Sequence, residues 1–282
     1  MQRRTRFRPE QVFLFHSIFM SAAFSLAWTI NQIYRVQTVG MDPLQLVLTG
    51  TMLEVAVLLF EIPTGVLADV YSRRLSTILG VALIGASFII EGSFPVFAIV
   101  LLSQIIWGIG WTFVSGAHDA WIADEIGVEE AAPLYLRATS VGLIGNLAAI
   151  PLSVAIAQFS LNLPFLVAGA MCLLLALWLI FVMTERGFRP AAQEERQTWD
   201  SMKETLRQGL GLVRAKPALM AFMGAAIFVG LYSEGFDRLT EAHFLTNFKF
   251  PSVPAIEMVT WFGLIRAGRI LLSVGATELA RR

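Results

Sequence analysis

Eight long apolar runs restrict what this chain of 282 residues can fold into more than any other feature. They occupy residues 12–34, 44–64, 75–90, 96–120, 136–157, 164–183, 218–236 and 259–279. A helix needs roughly 20 residues to cross a hydrocarbon core of about 30 Å, and most of the runs reach that length. In hydrocarbon every backbone N–H and C=O must be satisfied from within, which leaves helices or closed barrels. The alternating pattern of a barrel strand is absent, so a polytopic all-α fold is expected. Composition agrees, since 56% hydrophobic against 15% charged residues, with a mean hydropathy of +0.67, lies outside the range of soluble domains. Residues 21–27 have the small side chains of a signal-peptidase site. The apolar run continues past them through Trp28, Ile30 and Ile33, so the first helix is expected to be retained.

The formal net charge is zero, yet Lys and Arg are unevenly placed once alternate loops are assigned to opposite sides. One side collects 16 of them, including Arg73, Arg74, Arg137 and seven between Arg186 and Lys216. The other collects 3, Arg35, Arg238 and Lys249, while Arg266 and Arg269 fall inside the eighth run. By the positive-inside rule both termini are expected in the cytoplasm, in a multi-pass protein of the plasma membrane. The single cysteine, Cys172, permits no intrachain disulfide and reads as a packing residue. His16, His118 and His243 are far apart in sequence, and none has a metal-binding spacing with cysteine, so neither a metal nor a cofactor is expected.

The long polar connection after the sixth run divides the chain into a six-helix bundle at 1–183, a cytoplasmic linker at 184–217 and two further helices at 218–282. Within the linker, Ser201 and Glu204 fit a capping box, and Trp199, Met202, Leu206, Leu210 and Val213 recur at helical spacing. An amphipathic helix is expected there, either on the membrane surface or against the helix ends. The opposite-side loops at 92–95 and 160–163 are short, which makes successive helices antiparallel neighbours.

Between the second and third runs stands GVLADVYSRR, residues 65–74. It resembles the signature loop of the major facilitator superfamily, Gly-x-x-x-Asp-x-x-Gly-Arg-Arg or Lys. Gly65, Asp69, Arg73 and Arg74 match, and Ser72 stands where the family usually has glycine. The helix spacing and the long connection after the sixth helix fit the same family. Physically, Gly65 permits close helix approach, Asp69 can accept from donors at a neighbouring helix end, and Arg73 and Arg74 can pair with carboxylates such as Asp124. Such a cluster can latch one conformation; the plainer reading is that the arginines only set topology.

In the family's fourth helix an arginine often precedes Gly-x-Gly by four residues. Here Gln104 takes that place before Gly108 and Gly110. The phrases FEIPTG and SGAHDAWIADEIG look like the tetracycline and macrolide efflux branch. The resemblance implies two six-helix halves rocking about a midplane site, and a proton-coupled exporter of amphipathic drugs rather than an enzyme. Uptake of a metabolite, or a non-transporting membrane protein, are the alternatives. The ending GATELARR faintly echoes the opening motif, as though the chain stopped at the corresponding loop of the second half.

Intramembrane charge costs about 2.5 to 3.5 kcal/mol at a helix centre and so calls for a reason. Glu54 lies about 15 Å into the second helix, near the midplane, and Arg266 and Arg269 are at comparable depth in the eighth. Proton exchange, charged-substrate binding or a static pair are all open to these three. Asp119 could line a cavity or bond a neighbouring helix. Asn31, Gln32, Gln104 and Asn146 are polar candidates for a cavity wall, and Trp28, Trp107, Trp111 and Phe113 could stack an apolar substrate. Glu234, Asp237, Arg238 and Glu241 share one face of the seventh helix and read as a solvated ion-pair ladder. No Gly-x-x-x-x-Gly-Lys-Ser/Thr loop occurs, so the expected partners are lipid, a small-molecule solute and protons, without nucleotide or nucleic acid.

Overall fold

The computed structural model describes residues 7–190, 207–209, 211–251 and 258–280. The helices are α1 (Pro9–Gln37), α2 (Pro43–Val70), α3 (Arg73–Ser93), α4 (Phe97–Ser115), α5 (Ala117–Ile126), α6 (Val128–Ala157) and α7 (Leu163–Val182), then α8 (Pro217–Asn247) and α9 (Met258–Ala280). The described residues contain no strand, so the fold is all-α. Seven spans are long and apolar enough to cross a membrane: α1, α2, α3, α4 with α5, α6, α7 and α8. The eighth run is α9, which carries Arg266 and Arg269 mid-helix. Of the expected linker helix, residues 207–209 and 211–215 are helical, while Trp199, Met202, Leu206 and Leu210 lie outside the described residues.

Helices outrun the apolar segments that announce them. α2 continues through Pro63, Gly65 and Asp69 to Val70, so the signature is two helix ends joined by Tyr71 and Ser72 rather than a loop. The fourth run bends at Gly116 and continues as α5 to Ile126, where Gly127, at φ 99°, turns the chain into α6. Hydropathy marks only the part of a helix that lies in hydrocarbon, whereas backbone hydrogen bonding continues until a cap or breaker ends it. The caps are specific. The Asp42 carboxylate accepts the Gln45 N–H at 2.8 Å, the Gln45 side chain accepts the Asp42 N–H at 3.1 Å, and Pro43 occupies the first helical position. Ser72 Oγ accepts the Leu75 N–H at 2.9 Å to open α3.

α1 packs along α6 and α7, α3 lies between α4 and α7, and α2 lies on α4. Lipid tails are as apolar as the side chains, so close backbone contact, not hydrophobicity, must hold these seams. A Cβ on Gly80 would come within 2.5 Å of the Gly110 carbonyl, and one on Gly108 within 2.9 Å of Ala56 Cβ. The Gly-x-Gly of α4 therefore serves two neighbours, α3 through Gly110 and α2 through Gly108. Hydroxyls bridge the α1–α6 seam: Ser25 Oγ donates to Asn146 O at 2.9 Å and Ser153 Oγ to Leu26 O at 2.7 Å. Leu58, Leu59, Leu136, Ile144, Leu174 and Phe181 are exposed, as lipid-facing residues are. Beyond the linker, α8 contacts α1 and α2, and α9 contacts α1 and α6.

Candidate functional site

At one end of the bundle the signature residues form a bonded cluster. Arg73 Nη1 donates to Asp124 Oδ2 at 2.7 Å and to Ala120 O at 3.1 Å, and Nη2 to Asp69 Oδ1 at 3.2 Å. One guanidinium thus joins the end of α2 and the start of α3 to α5. Arg74 departs from the sequence reading, because among the described residues its side chain pairs with no carboxylate. Its Nε donates to Met183 O at 2.7 Å and Nη2 to Ile180 O at 2.6 Å, so it caps α7, whose last carbonyls have no helical donor.

The adjoining carboxylate Glu185 accepts the Arg74 backbone N–H at 2.9 Å and the Ser72 hydroxyl at 2.6 Å. Ser72, where the family pattern has glycine, is in this way both a helix cap and a tie to the segment after α7. Glu125 accepts from Thr184 Oγ1 at 2.6 Å, from the Gly187 N–H at 2.8 Å and from the Arg186 N–H. Gly65 lies one turn before Asp69 and is partly exposed.

A cavity of about 580 Å³ opens between α1, α2, α4 and the second-half helices α8 and α9. Glu54, Arg266 and Arg269 all line it, which brings the three intramembrane candidates to one space. Among the described residues no ion pair joins Glu54 to either arginine. Arg266 Nη1 instead donates to Trp28 O at 2.8 Å. Trp107 and Trp111 form a stacked wall, centroids 5.6 Å apart at 7°, with Trp28 5.7 Å from Trp107. Asn31, Gln32 and Gln104 also line the cavity. Asn146 and Phe113 do not: their carbonyls accept the Ser25 and Ser76 hydroxyls on helix seams.

Two placements correct the sequence reading. Asp237, Arg238 and Glu241, expected as a solvated ladder, line the cavity, with Asp237 exposed and Arg238 and Glu241 half-buried; Glu234 lies outside the described side chains. Arg35, counted as a loop charge, is 1% exposed and paired with Glu91, 2% exposed, at 2.8 Å. The pair is fully bonded. Arg35 Nη1 donates to Thr49 Oγ1 at 3.1 Å, while Gln104 Nε2 and Ser103 Oγ donate to Glu91 Oε2 at 2.8 and 2.9 Å. Gln104 at the family's arginine position thus serves a carboxylate whose guanidinium comes from α1. Glu91, just past the third apolar run, escaped sequence reasoning; its signal was a carboxylate at the same membrane level as Arg35.

Asp119 lines a second cavity, of about 400 Å³, together with His16, His118 and Tyr135. Tyr135 Oη donates to the Asp119 carbonyl at 2.9 Å. Trp111 lines both cavities.

Comparison with known proteins places this architecture. The chain is 27% identical over 241 residues to the uncharacterized MFS-type transporter YxaM of Bacillus subtilis (strain 168), covering 80% of this chain and 55% of that protein. It superposes on a variant of the nucleoside transporter NupG with a TM-score of 0.74 at 15% identity, covering 94% of this chain and 65% of that one. It superposes equally, TM-score 0.74 at 16% identity, on an inward-facing bacterial homolog of the human lysosomal transporter Spinster, covering 99% of this chain and 62% of that one. The chain therefore spans roughly half to two thirds of the length of these relatives. Residues 13–282 match the family model described as Major Facilitator Superfamily, and with the signature cluster, the all-α spans and the central cavity in place, the chain belongs to the major facilitator superfamily of membrane transporters.

Proposed function

We propose that the whole protein is a proton-driven secondary transporter that exports planar amphipathic solutes through the central cavity by alternating access. The observation that carries this reading is the cavity wall. Stacked Trp107 and Trp111 offer a flat apolar surface, and the rim carries four guanidinium groups and four carboxylates, Arg35, Arg238, Arg266 and Arg269 against Glu54, Glu91, Asp237 and Glu241. Planar apolar bodies with polar edges suit such a wall. Glu54 is the coupling candidate, since it borders the cavity with no ion pair among the described residues while Arg266 and Arg269 face the same space from the opposite half. Rocking of the halves changes the distance between these charges and with it the affinity of Glu54 for a proton.

The Asp69–Arg73–Asp124 cluster acts as the latch of one conformation, holding α2, α3 and α5 together without touching solute. Both termini and this cluster face the cytoplasm of a plasma membrane, in keeping with the charge bias. Burial of Arg35 and the cavity position of Arg238 leave Lys249 as the loop charge of the opposite side.

Everted membrane vesicles from cells expressing the whole protein test this reading, with ethidium as probe. Accumulation that requires an acidic interior and collapses with nigericin is the expected result. Gradient-driven uptake into right-side-out vesicles would replace export with import of a metabolite, and no gradient-dependent movement of any solute would make the protein a non-transporting one.

A further inference from the structure

Phe13, His118 and His16 form a stack inside the end of the bundle that carries the Arg73–Asp124 pair. The Phe13 and His118 rings lie 4.4 Å apart at 8°, and those of His118 and His16 3.8 Å apart at 35°. Both imidazoles are buried, 4% and 6% exposed. Among the described residues neither ring nitrogen of His16 has a hydrogen-bond partner, and His118 Nε2 has none. An unsatisfied buried polar atom carries a desolvation cost that phenylalanine or leucine in the same stack avoids. Three such atoms in one contact call for a partner that comes and goes.

The surroundings narrow what that partner is. The titratable groups lining the adjacent cavity are His16 from α1, His118 and Asp119 from α5, and Tyr135 from α6. α4 contributes Trp111, Val114 and Ser115, none of which titrates. α7 meets α1 nearby through Trp178 against Phe15. Glu10, six residues before His16 on α1, is not on the cavity wall, and Arg73 of α3 is held by Asp69 and Asp124. His118 Nδ1 stands 4.0 Å from Asp119 Oδ1, within reach of one bridging water. No group of three metal-holding side chains is present among the described residues.

We propose that His16 and His118 form one proton-binding station, a stacked imidazole pair that takes a single proton on one of its rings with Asp119 as the counter-charge, set between the latch end of the bundle and the central cavity. Two imidazolium rings 3.8 Å apart repel, so the pair takes one proton and excludes a second. The proton arrives on the Asp119 carboxylate and passes to His118 Nδ1, leaving a carboxylate facing an imidazolium. Trp111 is shared by both cavities, and Glu54 lines the central one. The station deepens the proton-driven reading above and rests on it for its purpose, though not for its existence.

With three histidines in the chain, the test is direct. Protein labelled with ¹⁵N-histidine is titrated by NMR between about pH 8 and about pH 4, the exposed His243 being assigned through His243→Gln. The two buried imidazoles of the wild type are expected to take up one proton together, each of His16→Gln and His118→Gln still one, and the double variant none. Two protons in the wild type, or none, overturn the proposal.

Asp119→Asn alters a side chain that is 63% exposed, so the fold is kept, and midway through the titration it should reduce proton uptake about threefold or more. Unchanged uptake there overturns the station as drawn. If the pair takes its proton while vesicle accumulation ignores the pH gradient, the proton-driven reading falls and the station stands. If accumulation collapses with nigericin while both rings remain neutral, the station falls and the reading stands.

Discussion

Arg35 is the residue whose substitution should cost most. Arg35→Gln leaves the Glu91 carboxylate buried among Ser103, Gln104 and Tyr34 without its counter-charge, which typically destabilises by about 3 to 5 kcal/mol. Thermal inactivation in detergent should show that loss, and adding Glu91→Gln should recover most of it, because the second change removes the stranded charge. The latch residues differ in kind. Arg73, Asp69 and Asp124 are 20%, 32% and 25% exposed, so their ion pairs contribute about 1 kcal/mol or less once solvent screening is allowed for. Asp69→Asn or Arg73→Ala should therefore leave insertion and melting nearly intact while slowing transport, as the proposed latch of one conformation requires. Equal transport rates at matched expression would reduce these residues to topology markers. Glu54→Gln should abolish uphill accumulation in vesicles and spare downhill counterflow; uphill transport with unchanged dependence on the pH gradient would make Glu54 structural and move coupling elsewhere.

The elements are held by backbone proximity, and that makes them sensitive to single carbon atoms. Gly80→Ala places a methyl 2.5 Å from the Gly110 carbonyl, a rigid backbone atom, and the α3–α4 seam must open to admit it. A loss of about 1 to 3 kcal/mol is expected, read as a lower melting temperature of the purified protein. Gly116→Ala is the control, since a Cβ there meets nothing within 4 Å and the backbone has φ −93° and ψ −33°, open to any residue. It should be neutral or stabilising by a few tenths of a kcal/mol to about 1. The spacing of apolar residues announced these helices but not their ends. α2 runs six residues past its apolar segment and α5 carries the fourth span to Ile126, because caps and a positive-φ glycine, not hydropathy, end a helix.

Across the whole molecule the orientation expected from the charge bias can be read with two cysteines. Tyr71, between α2 and α3, is 72% exposed, and Phe159, between α6 and α7, is 86% exposed at the opposite end. The native Cys172 is 1% exposed and should not react. An impermeant maleimide should label Tyr71→Cys only in everted vesicles and Phe159→Cys only in intact cells; the reverse pattern would invert both the topology and the side on which the latch acts. The central cavity belongs to this scale too, because its walls come from α1, α2, α3, α4 and α7 together with α8 and α9, from both sides of the linker.

Sequence alone determined the all-α class and seven of the eight spans it announced, since hydrophobic length is a property of the chain in one dimension. Placing Glu54, Arg266 and Arg269 at one depth was legible for the same reason, as depth is residue count times helical rise. The motif named Arg73 and offered Asp124 as its partner, and the packing of α3 on α5 brought the two together across 51 positions. What tertiary structure decided is which face each helix turns inward. His16 and His118, 102 positions apart, touch because α1 and α5 meet beside α6. Arg35 left the surface because Glu91, 56 positions away, was there to pair with it. Asp237, Arg238 and Glu241 read as a solvated ladder, and the packing of α8 against α1 and α2 set them on the cavity wall. Helix rotation is set by the fit of glycines and hydroxyls across several seams at once, and no single helix carries that information in its own periodicity.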